Sequence, residues 1–536
     1  MIQEVFMSYT ESIQSNRTAL GIEFGSTRIK AVLSDLEGNV LAVGFHDWEN
    51  SLINGIWTYS LEEVHEGLAD CYASMKKDVK EKYGITLTSV GAIGISAMMH
   101  GYIALDKNDV QLAPFQTWRN TNTGKAADEL TELFNFNIPL RWTGAHLYQR
   151  VLDGEAHVKD LAFANTLAGY MHYKLTGQKV IGVGDAAGIF PIDSTTHDYN
   201  EEMIQKFDQL LEPYGLGWKV RDLFPKVLVA GENAGYLTAE GAAMLDKDGD
   251  LVSGIPMCPP EGDAGTGMVA TNSVAPHTGN ISAGTSTFAM LVLEKELSKL
   301  YREIDMVTTP SGFPVAMSHA NNGTSDLNAW IGIFREFMEL MGMEVDMGEL
   351  FGRLYTNSLK GDPDCGGLLA YGYYSGENIT FLNEGRPLFA RTPDSRFNLA
   401  NFMRSHLYTS LGAVKLGMDI LLKEENVVVE RMLGHGGLFK TKGVAQKYWA
   451  AAVNAPVTVM ETASEGGAWG IAVLAAYMIA KQEGESLEAY LEKIFSRMDD
   501  FTVYPDPADV EGFEVFTERY VKGLEAEKAA IHAIDW

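Results

Sequence analysis

The chain has 536 residues, 46% of them hydrophobic, and is long enough to bury more than one hydrophobic core. Its 71 acidic and 42 basic side chains give a formal net charge of -29, which disfavours partners such as nucleic acid and anionic membrane surfaces. The three cysteines, Cys71, Cys258 and Cys365, are widely spaced, which predicts neither a disulfide framework nor a structural zinc site and favours a cytoplasmic location. The longest apolar stretch, residues 468–480, is too short to span a bilayer.

The first predicted element is a strand hairpin over residues 18–47. A run rich in β-forming residues reaches a turn made of Gly25, Ser26 and Thr27, and further strands follow it. A capping box formed by Ser60 and Glu63 then predicts a helix, and residues 89–97 predict another strand. This succession predicts a mixed α/β architecture.

The hairpin pattern occurs twice in the chain. Residues 22–35 align without a gap on residues 281–294, where Gly284, Thr285 and Ser286 form the second turn. Glycine lets the backbone approach a ligand, and the neighbouring N–H and O–H groups can donate to phosphate oxygens. Such hairpins are also common in ordinary sheets. If both copies bind phosphate, the repeat predicts a nucleotide-dependent phosphotransferase that holds one polyphosphate from two sides.

Residues suited to sugar recognition follow the strand predicted at residues 89–97. Recognition of a polyol needs rigid donors and acceptors beside an apolar plate on which the carbon skeleton can rest. A single histidine or tryptophan more often packs in a core, so the prediction depends on the combination. The predicted substrate-binding residues are Met99, His100, Gly101, Trp118, Arg119 and Asn120.

One carboxylate stands among glycines in the stretch of residues 256–275. Phosphoryl transfer to a hydroxyl needs a positioned acceptor for the hydroxyl proton, and Asp263 is the predicted base. The alternative is an aspartate that hydrogen-bonds its own turn. The same stretch predicts the junction between two domains, residues 18–272 and residues 273–536.

The second half of the chain predicts three helices and a glycine-rich turn. Helices are predicted over residues 398–423, after Gly467 and from Ser486, and a strand over residues 427–433. The turn after this strand contains Gly436, Gly437 and Lys440. It would let a flat base approach the backbone, although a glycine-rich turn can also be an ordinary loop without a ligand. A similar turn at residues 465–468 is expected to close the same pocket.

With these motifs in order, the chain resembles the FGGY family of carbohydrate kinases, and within it the xylulokinases. The resemblance extends from residue 18 to about residue 481. It is carried by the order and spacing of several segments, namely residues 21–27, 99–101, 175–177, 185–188, 262–263, 283–286, 374–377 and 434–437.

The resemblance implies two actin-like ATPase (ribonuclease H-like) domains with a cleft between them, the N-terminal one on the sugar side and the C-terminal one on the nucleotide side. It implies transfer of the γ-phosphate of ATP, with Mg²⁺, to a hydroxyl of a ketose or polyol, and it is compatible with a homodimer. Asp263 would be the base, and Glu23 and Asp263 would lie at the metal. His100 would touch the sugar, and the implied ATP-binding residues are Gly25, Ser26, Thr27, Gly284, Thr285, Ser286, Gly436, Gly437 and Lys440.

Two departures from the family pattern bear on the chemistry. Glu23 stands where the family usually has aspartate, and its added methylene displaces the carboxylate by about 1 Å. The expected consequence is an altered metal preference, slow turnover, or harmless accommodation of the longer side chain through a water molecule. Trp118-Arg119-Asn120 stands where xylulokinases commonly show Trp-Asn-Asp, which leaves ribulose, a tetrulose or a glycerol-like polyol as alternative acceptors. A catalytically weak sugar or nucleotide sensor of the same fold is the alternative from another functional class.

Overall fold

The computed structural model describes residues 8–460, 466–498 and 500–534. Up to residue 275 the elements in chain order are α1 (Tyr9–Gln14), β1 (Thr18–Phe24), β2 (Arg28–Asp35), β3 (Val40–Asp47), β4 (Ser51–Ile53), β5 (Ile56–Thr58), α2 (Leu61–Tyr83), β6 (Ala92–Ala97), β7 (Ile103–Leu105), α3 (Gly124–Phe134), α4 (Thr143–Leu152), β8 (Phe163–Asn165), α5 (Leu167–Thr176), β9 (Val180–Gly182), α6 (Val183–Ala186), β10 (Ile192–Asp193), β11 (Asp198–Tyr199), α7 (Glu201–Leu211), α8 (Val220–Leu223), β12 (Lys226–Leu228), α9 (Ala239–Leu245), β13 (Glu261–Gly262) and α10 (Asp263–Ala270).

After residue 275 the elements are β14 (Thr278–Ala283), β15 (Thr287–Val292), β16 (Ile304–Thr308), β17 (Pro314–Ala320), α11 (Ser325–Leu340), α12 (Met347–Ser358), β18 (Leu369–Tyr371), β19 (Leu388–Ala390), α13 (Leu399–Asp419), β20 (Arg431–His435), α14 (Val444–Val453), β21 (Val457–Met460), α15 (Gly466–Ala480), α16 (Leu487–Phe495), β22 (Asp500–Val503) and α17 (Pro507–Ala533). None of the described helices is long and apolar enough to cross a bilayer.

The described residues form two compact units. The first contains residues 8–275, 306–314 and 466–498, and the second contains residues 276–305, 315–460 and 500–534. These units differ from the predicted division at residue 272, because two later segments return to the first unit. One of them carries α15, which packs on β1 and α10.

The central sheet of the first unit has the order β3-β2-β1-β6-β13. Strands β1, β6 and β13 run parallel, and the register sets Glu23 beside Ser96 and Ser96 beside Glu261. The carboxyl ends of these three strands therefore share one edge of the sheet.

The second unit repeats this arrangement within a larger sheet. Its order is β16-β17-β15-β14-β20-β21-β22. The run β17-β15-β14-β20-β21 has the same sequence of antiparallel and parallel pairings as β3-β2-β1-β6-β13. The predicted α/β class with two similar cores is confirmed.

The two repeated hairpins differ by one residue in their turns. Phe24 pairs with Ile29, which leaves four residues in the first turn, whereas Ala283 pairs with Thr287, which leaves three in the second. The gapless alignment therefore holds up to the turn and slips by one residue after it.

The predicted helices are present, with one strand displaced. The capping box of Ser60 and Glu63 is formed at the start of α2, and Ser486 caps α16. The strand predicted over residues 427–433 begins instead at Arg431 and extends to His435, where it pairs with β14 and β21.

Gly21 of β1 permits the close packing of α15 on the sheet. A Cβ atom at this position would lie 2.1 Å from the carbonyl oxygen of Ala468 and 2.5 Å from the amide nitrogen of Ala472. Because both neighbours are backbone atoms of a buried helix, they cannot move aside as a flexible side chain can.

We therefore expect Gly21→Ala to lower the free energy of unfolding by about 1–3 kcal/mol, the usual cost of overpacking. Gly124→Ala is the control, since a Cβ at Gly124 would meet no atom within 4 Å. Urea denaturation of both variants measures the effect. Equal stability of the two variants would contradict this account of the α15 packing.

Candidate active site

Two acidic residues lie at the shared carboxyl edge of the first sheet. Glu23 is the penultimate residue of β1, and Asp263 follows β13 as the first residue of α10. Gly262, in extended backbone conformation, ends the strand and caps this helix. A carboxylate in the first turn of a helix interacts favourably with the helix dipole, so the local sequence stabilises an ionised group here.

Asp263 is held by backbone donors. The amide nitrogen of Met99 donates to its Oδ1 at 3.0 Å. The residue is exposed, but the surrounding protein still removes enough water to raise the pKa of its carboxyl group. Hydrogen bonds from the Met99 and Ala264 amides and the charge of Arg141 oppose this rise. Asp263 is thus a fixed, accessible carboxylate.

Glu23 is half-buried beside Asp263. Burial, followed by the negative charge of Asp263, raises the pKa of Glu23 to about 7, and the amide of Ala468 opposes the rise by donating to Oε2 at 3.2 Å. Two carboxylates that repel each other at this edge fit a bound cation, since Mg²⁺ commonly takes one or two carboxylates and completes its shell with water and phosphate oxygens. The donor set therefore suits the predicted metal.

Of the predicted sugar-side residues, the segment of residues 99–101 adjoins Asp263 through the Met99 amide. Met99, His100 and Gly101 follow β6, and both His100 and Gly101 have left-handed backbone conformations, with φ of +74° and +98°. The His100 ring is buried and stacks on Trp142 with the ring centres 6.5 Å apart. A left-handed histidine costs conformational energy, and such strain is concentrated at functional sites.

The three residues at 118–120 have different environments. Trp118 is 39% exposed, and its Nε1 donates to the Ser26 hydroxyl at 3.3 Å, which joins the predicted sugar side to the first Gly-Ser-Thr turn. Arg119 stacks on Trp57 at 3.8 Å from the ring centre. Asn120 is buried, with its amide bonded to the backbone of Trp57 at 2.9 and 2.8 Å. Its side chain holds the loop against Trp57, and the expected substrate contact of Asn120 stays a prediction.

Two buried carboxyl groups, which were not among the predicted site residues, lie behind Asp263. Asp185 accepts from the Thr166 hydroxyl at 2.6 Å, and Glu261 accepts from the Gly184 amide at 3.3 Å. Burial raises the pKa of Asp185 to about 7 and that of Glu261 well above its ordinary value. Both lie in segments with visible sequence signals, residues 185–188 and 261–267, but the pattern does not reveal that they converge.

In the second unit, the turn at Gly284 is tied to the start of α11. The carbonyl of Gly284 accepts from both the amide and the hydroxyl of Thr324 at 2.9 Å, and that of Thr285 accepts from Gly323 at 2.8 Å. Thr285 is exposed and Ser286 half-buried. The predicted donors therefore stand on a braced turn, and Thr324 is a bracing residue that the sequence did not identify.

The glycine-rich turn after β20 adjoins the same edge of the second sheet. Gly436 has φ of +92°, and a Cβ there would lie 2.6 Å from the Ala283 carbonyl oxygen. A Cβ at Gly437 would meet no atom within 4 Å, and Lys440 is exposed at the end of a short helical turn, Gly437–Lys440. The structure thus brings the predicted residues around Gly284 and Gly436 together. Glu465, the first residue of the turn predicted at residues 465–468, lies outside the described residues.

Two models of one protein family match most of the chain. The N-terminal domain model of the FGGY family of carbohydrate kinases matches residues 18–269, and the C-terminal domain model matches residues 279–479. The chain belongs to the FGGY family of carbohydrate kinases. The resemblance deduced from the sequence is confirmed, and with it the enzyme class, a kinase that uses an alcohol group as acceptor and ATP as donor.

Relatives within the family are distant, and two of them match more than nine-tenths of the chain. A xylulose kinase of Haemophilus influenzae is 23% identical over 527 residues, which cover 94% of this chain and 99% of the relative. A xylulose kinase of Lactococcus lactis is 22% identical over 92% of this chain and 94% of its own. A glycerol kinase of Thermococcus onnurineus is 23% identical over 64% and 67%, respectively.

Solved structures of the family share the fold. The structure of a xyloylose kinase from Brucella ovis has a TM-score of 0.77 and 18% identity, and covers 97% of this chain and 100% of its own. The structure of a Plasmodium falciparum glycerol kinase with ADP has a TM-score of 0.72 and 15% identity, with 97% and 99% covered. The FGGY kinase therefore has the actin-like ATPase fold predicted from its sequence.

The buried Asp185 makes stability depend on pH. The folded protein retains its proton up to about pH 7, whereas the unfolded chain releases it near pH 3.8, so stability falls as pH rises between these values. Asp185→Asn cannot lose this proton and keeps the Thr166 bond. We expect the variant to gain stability relative to the wild type from pH 4 to pH 7, by at most about 4 kcal/mol. Urea denaturation at several pH values measures the difference in stability. The same dependence of stability on pH in the variant and the wild type would refute this prediction.

Proposed function

We propose that this FGGY kinase phosphorylates a hydroxyl of a ketose, most simply a ketopentose such as xylulose, with Asp263 as the general base. The main support for this proposal is the position of Asp263. Its carboxylate follows the end of a strand, is exposed, and accepts a hydrogen bond from the Met99 amide. His100 and Gly101 continue the same backbone segment, so a sugar bound against them would lie beside the carboxylate.

In the proposed reaction, Asp263 accepts the proton of the attacking hydroxyl. The hydroxyl oxygen forms a bond to the γ-phosphorus of ATP, the bond from this phosphorus to the bridging oxygen breaks, and ADP leaves. The amide donors that oppose the rise in the pKa of Asp263 favour the ionised form that a base needs.

Glu23 and Asp263 are the proposed ligands of Mg²⁺, which would neutralise phosphate charge when bound. Gly25, Ser26 and Thr27 are the proposed phosphate contacts of the first unit. Those of the second unit are Gly284, Thr285 and Ser286 for phosphate and Gly436, Gly437 and Lys440 for the nucleotide.

A ketopentose is favoured by the two full-length relatives, which are xylulose kinases. Arg141 supports a second candidate, a sugar acid, because its positive charge reaches Asp263 and a guanidinium binds a carboxylate through paired hydrogen bonds. The backbone places it on the sugar side, where its carbonyl accepts from the Gly101 amide at 3.1 Å.

Sugar-dependent release of ADP tests the proposal. The panel contains xylulose, ribulose, a tetrulose, a ketohexose, glycerol and a sugar acid, each assayed with ATP and Mg²⁺. We expect the highest kcat/KM for a ketopentose. A preference for the acid would transfer the assignment to the second candidate, and no stimulation by any acceptor would support a sensor instead.

Replacing Asp263 by Asn removes the proton acceptor while keeping the shape of the side chain. We expect kcat for the best acceptor to fall by at least about a hundredfold, the usual contribution of general base catalysis. Nucleotide binding, measured by calorimetry with ADP, should change little. Turnover close to that of the wild type would eliminate Asp263 as the base.

A further inference from the structure

The carboxylate of Glu23 is attached to the first turn of α15. Its Oε2 accepts from the Ala468 amide at 3.2 Å, and this amide belongs to the first turn of a helix that begins at Gly466. Amides in the first turn of a helix have no partner within the helix and interact favourably with a negative charge. Glu23, which lies on strand β1, thus accepts a hydrogen bond from the first turn of α15.

The second oxygen of the same carboxylate lies over a residue without a side chain. A Cβ at Gly467 would lie 2.2 Å from Oε1 of Glu23 and 2.9 Å from its Cδ. Contacts below 3.0 Å do not occur between real atoms of this kind, so no other residue fits while Glu23 keeps this position. The Thr266 hydroxyl, 2.6 Å from the same Cβ, is a second obstacle.

The length of the Glu23 side chain therefore matches the space that Gly467 leaves at the start of α15. Glutamate reaches one methylene further than the aspartate usual in the family, and Gly467 supplies the room that the longer side chain occupies. The Ala468 amide then fixes one of its two oxygens.

We propose that the first turn of α15 is the positioning element for the acidic group of Glu23, and that Gly467 is the residue that allows glutamate at this place. The role of Glu23 toward a cation rests on the proposed function, whereas the pairing of Glu23 with Gly467 does not. Outer contacts of this kind orient the groups that hold a metal, and their loss commonly costs tenfold or more in affinity or activity.

A double-mutant cycle tests the pairing. The variants are Gly467→Ala, Glu23→Asp and the two combined, with melting temperature as the first measurement. Gly467→Ala should lower the melting temperature, although alanine is the better helix former. Glu23→Asp should raise the melting temperature of the Gly467→Ala protein and should not raise that of the wild type.

Two controls separate this effect from others. Gly352→Ala, inside α12 where a Cβ meets nothing within 4 Å, reports the gain from helix propensity alone. Thr266→Ala combined with Gly467→Ala reports relief of the second contact, and we expect it to recover less than Glu23→Asp does.

Several results would overturn the inference. They are a Gly467→Ala protein as stable as the Gly352→Ala control, equal effects of Glu23→Asp in both backgrounds, and greater recovery by Thr266→Ala. If Gly467→Ala does not fold, folding of the Glu23→Asp double variant supports the pairing, and failure of both overturns it.

The Mg²⁺ dependence of ADP release is the functional measurement. For variants that fold, we expect Gly467→Ala to raise the half-saturating Mg²⁺ concentration by about tenfold, and an unchanged value would remove the link to the cation. If no acceptor in the panel is phosphorylated, the proposed function fails, while the melting temperatures still decide the pairing of Glu23 with Gly467.

Discussion

Everything in the proposed chemistry depends on the parallel pairing of β1, β6 and β13. Parallel strands in register end at one edge, and this register places Glu23 beside Ser96 and Ser96 beside Glu261. Residues that are far apart in the sequence, at positions 23, 99 and 263, therefore meet where the strands end. A shift of one residue in β1 or β13 would turn Glu23 or Glu261, respectively, to the other face of the sheet.

The same edge concentrates carboxyl groups in a protein that is already strongly acidic. Glu23, Asp185, Glu261 and Asp263 all have raised pKa values, and the first cause in each case is the removal of water by the surrounding protein. Backbone amides supply most of the compensation: Met99 for Asp263, Gly184 for Glu261 and Ala468 for Glu23. Fixed dipoles can hold an acid in place without a permanent positive partner, which leaves its charge available to a ligand.

Local signals predicted the elements well, and long-range contacts less well. The Ser60–Glu63 capping box, the two glycine turns and the helix after Ser486 are encoded by adjacent residues, so the sequence indicated them directly. The return of α15 to the first unit was not predictable, because it depends on Gly21 leaving room for a helix more than four hundred residues later. Likewise, the role of Asn120 follows from Trp57, a partner that no spacing rule identifies.

The duplicated core is the basis for proposing a different kind of ligand for each unit. Both sheets order and direct five strands in the same way, yet the side chains at corresponding ends differ. In β1 the penultimate residue is Glu23, and in β14 it is Ser282. Gly284 follows the last residue of β14, Ala283, and Gly436 packs against the backbone of Ala283. Acidic groups suit proton transfer and cations, whereas small residues with free space suit phosphates and a flat base. The common backbone thus presents the strand ends of both units in the same arrangement, and the different residues at those ends are the basis for the different ligands proposed for each unit.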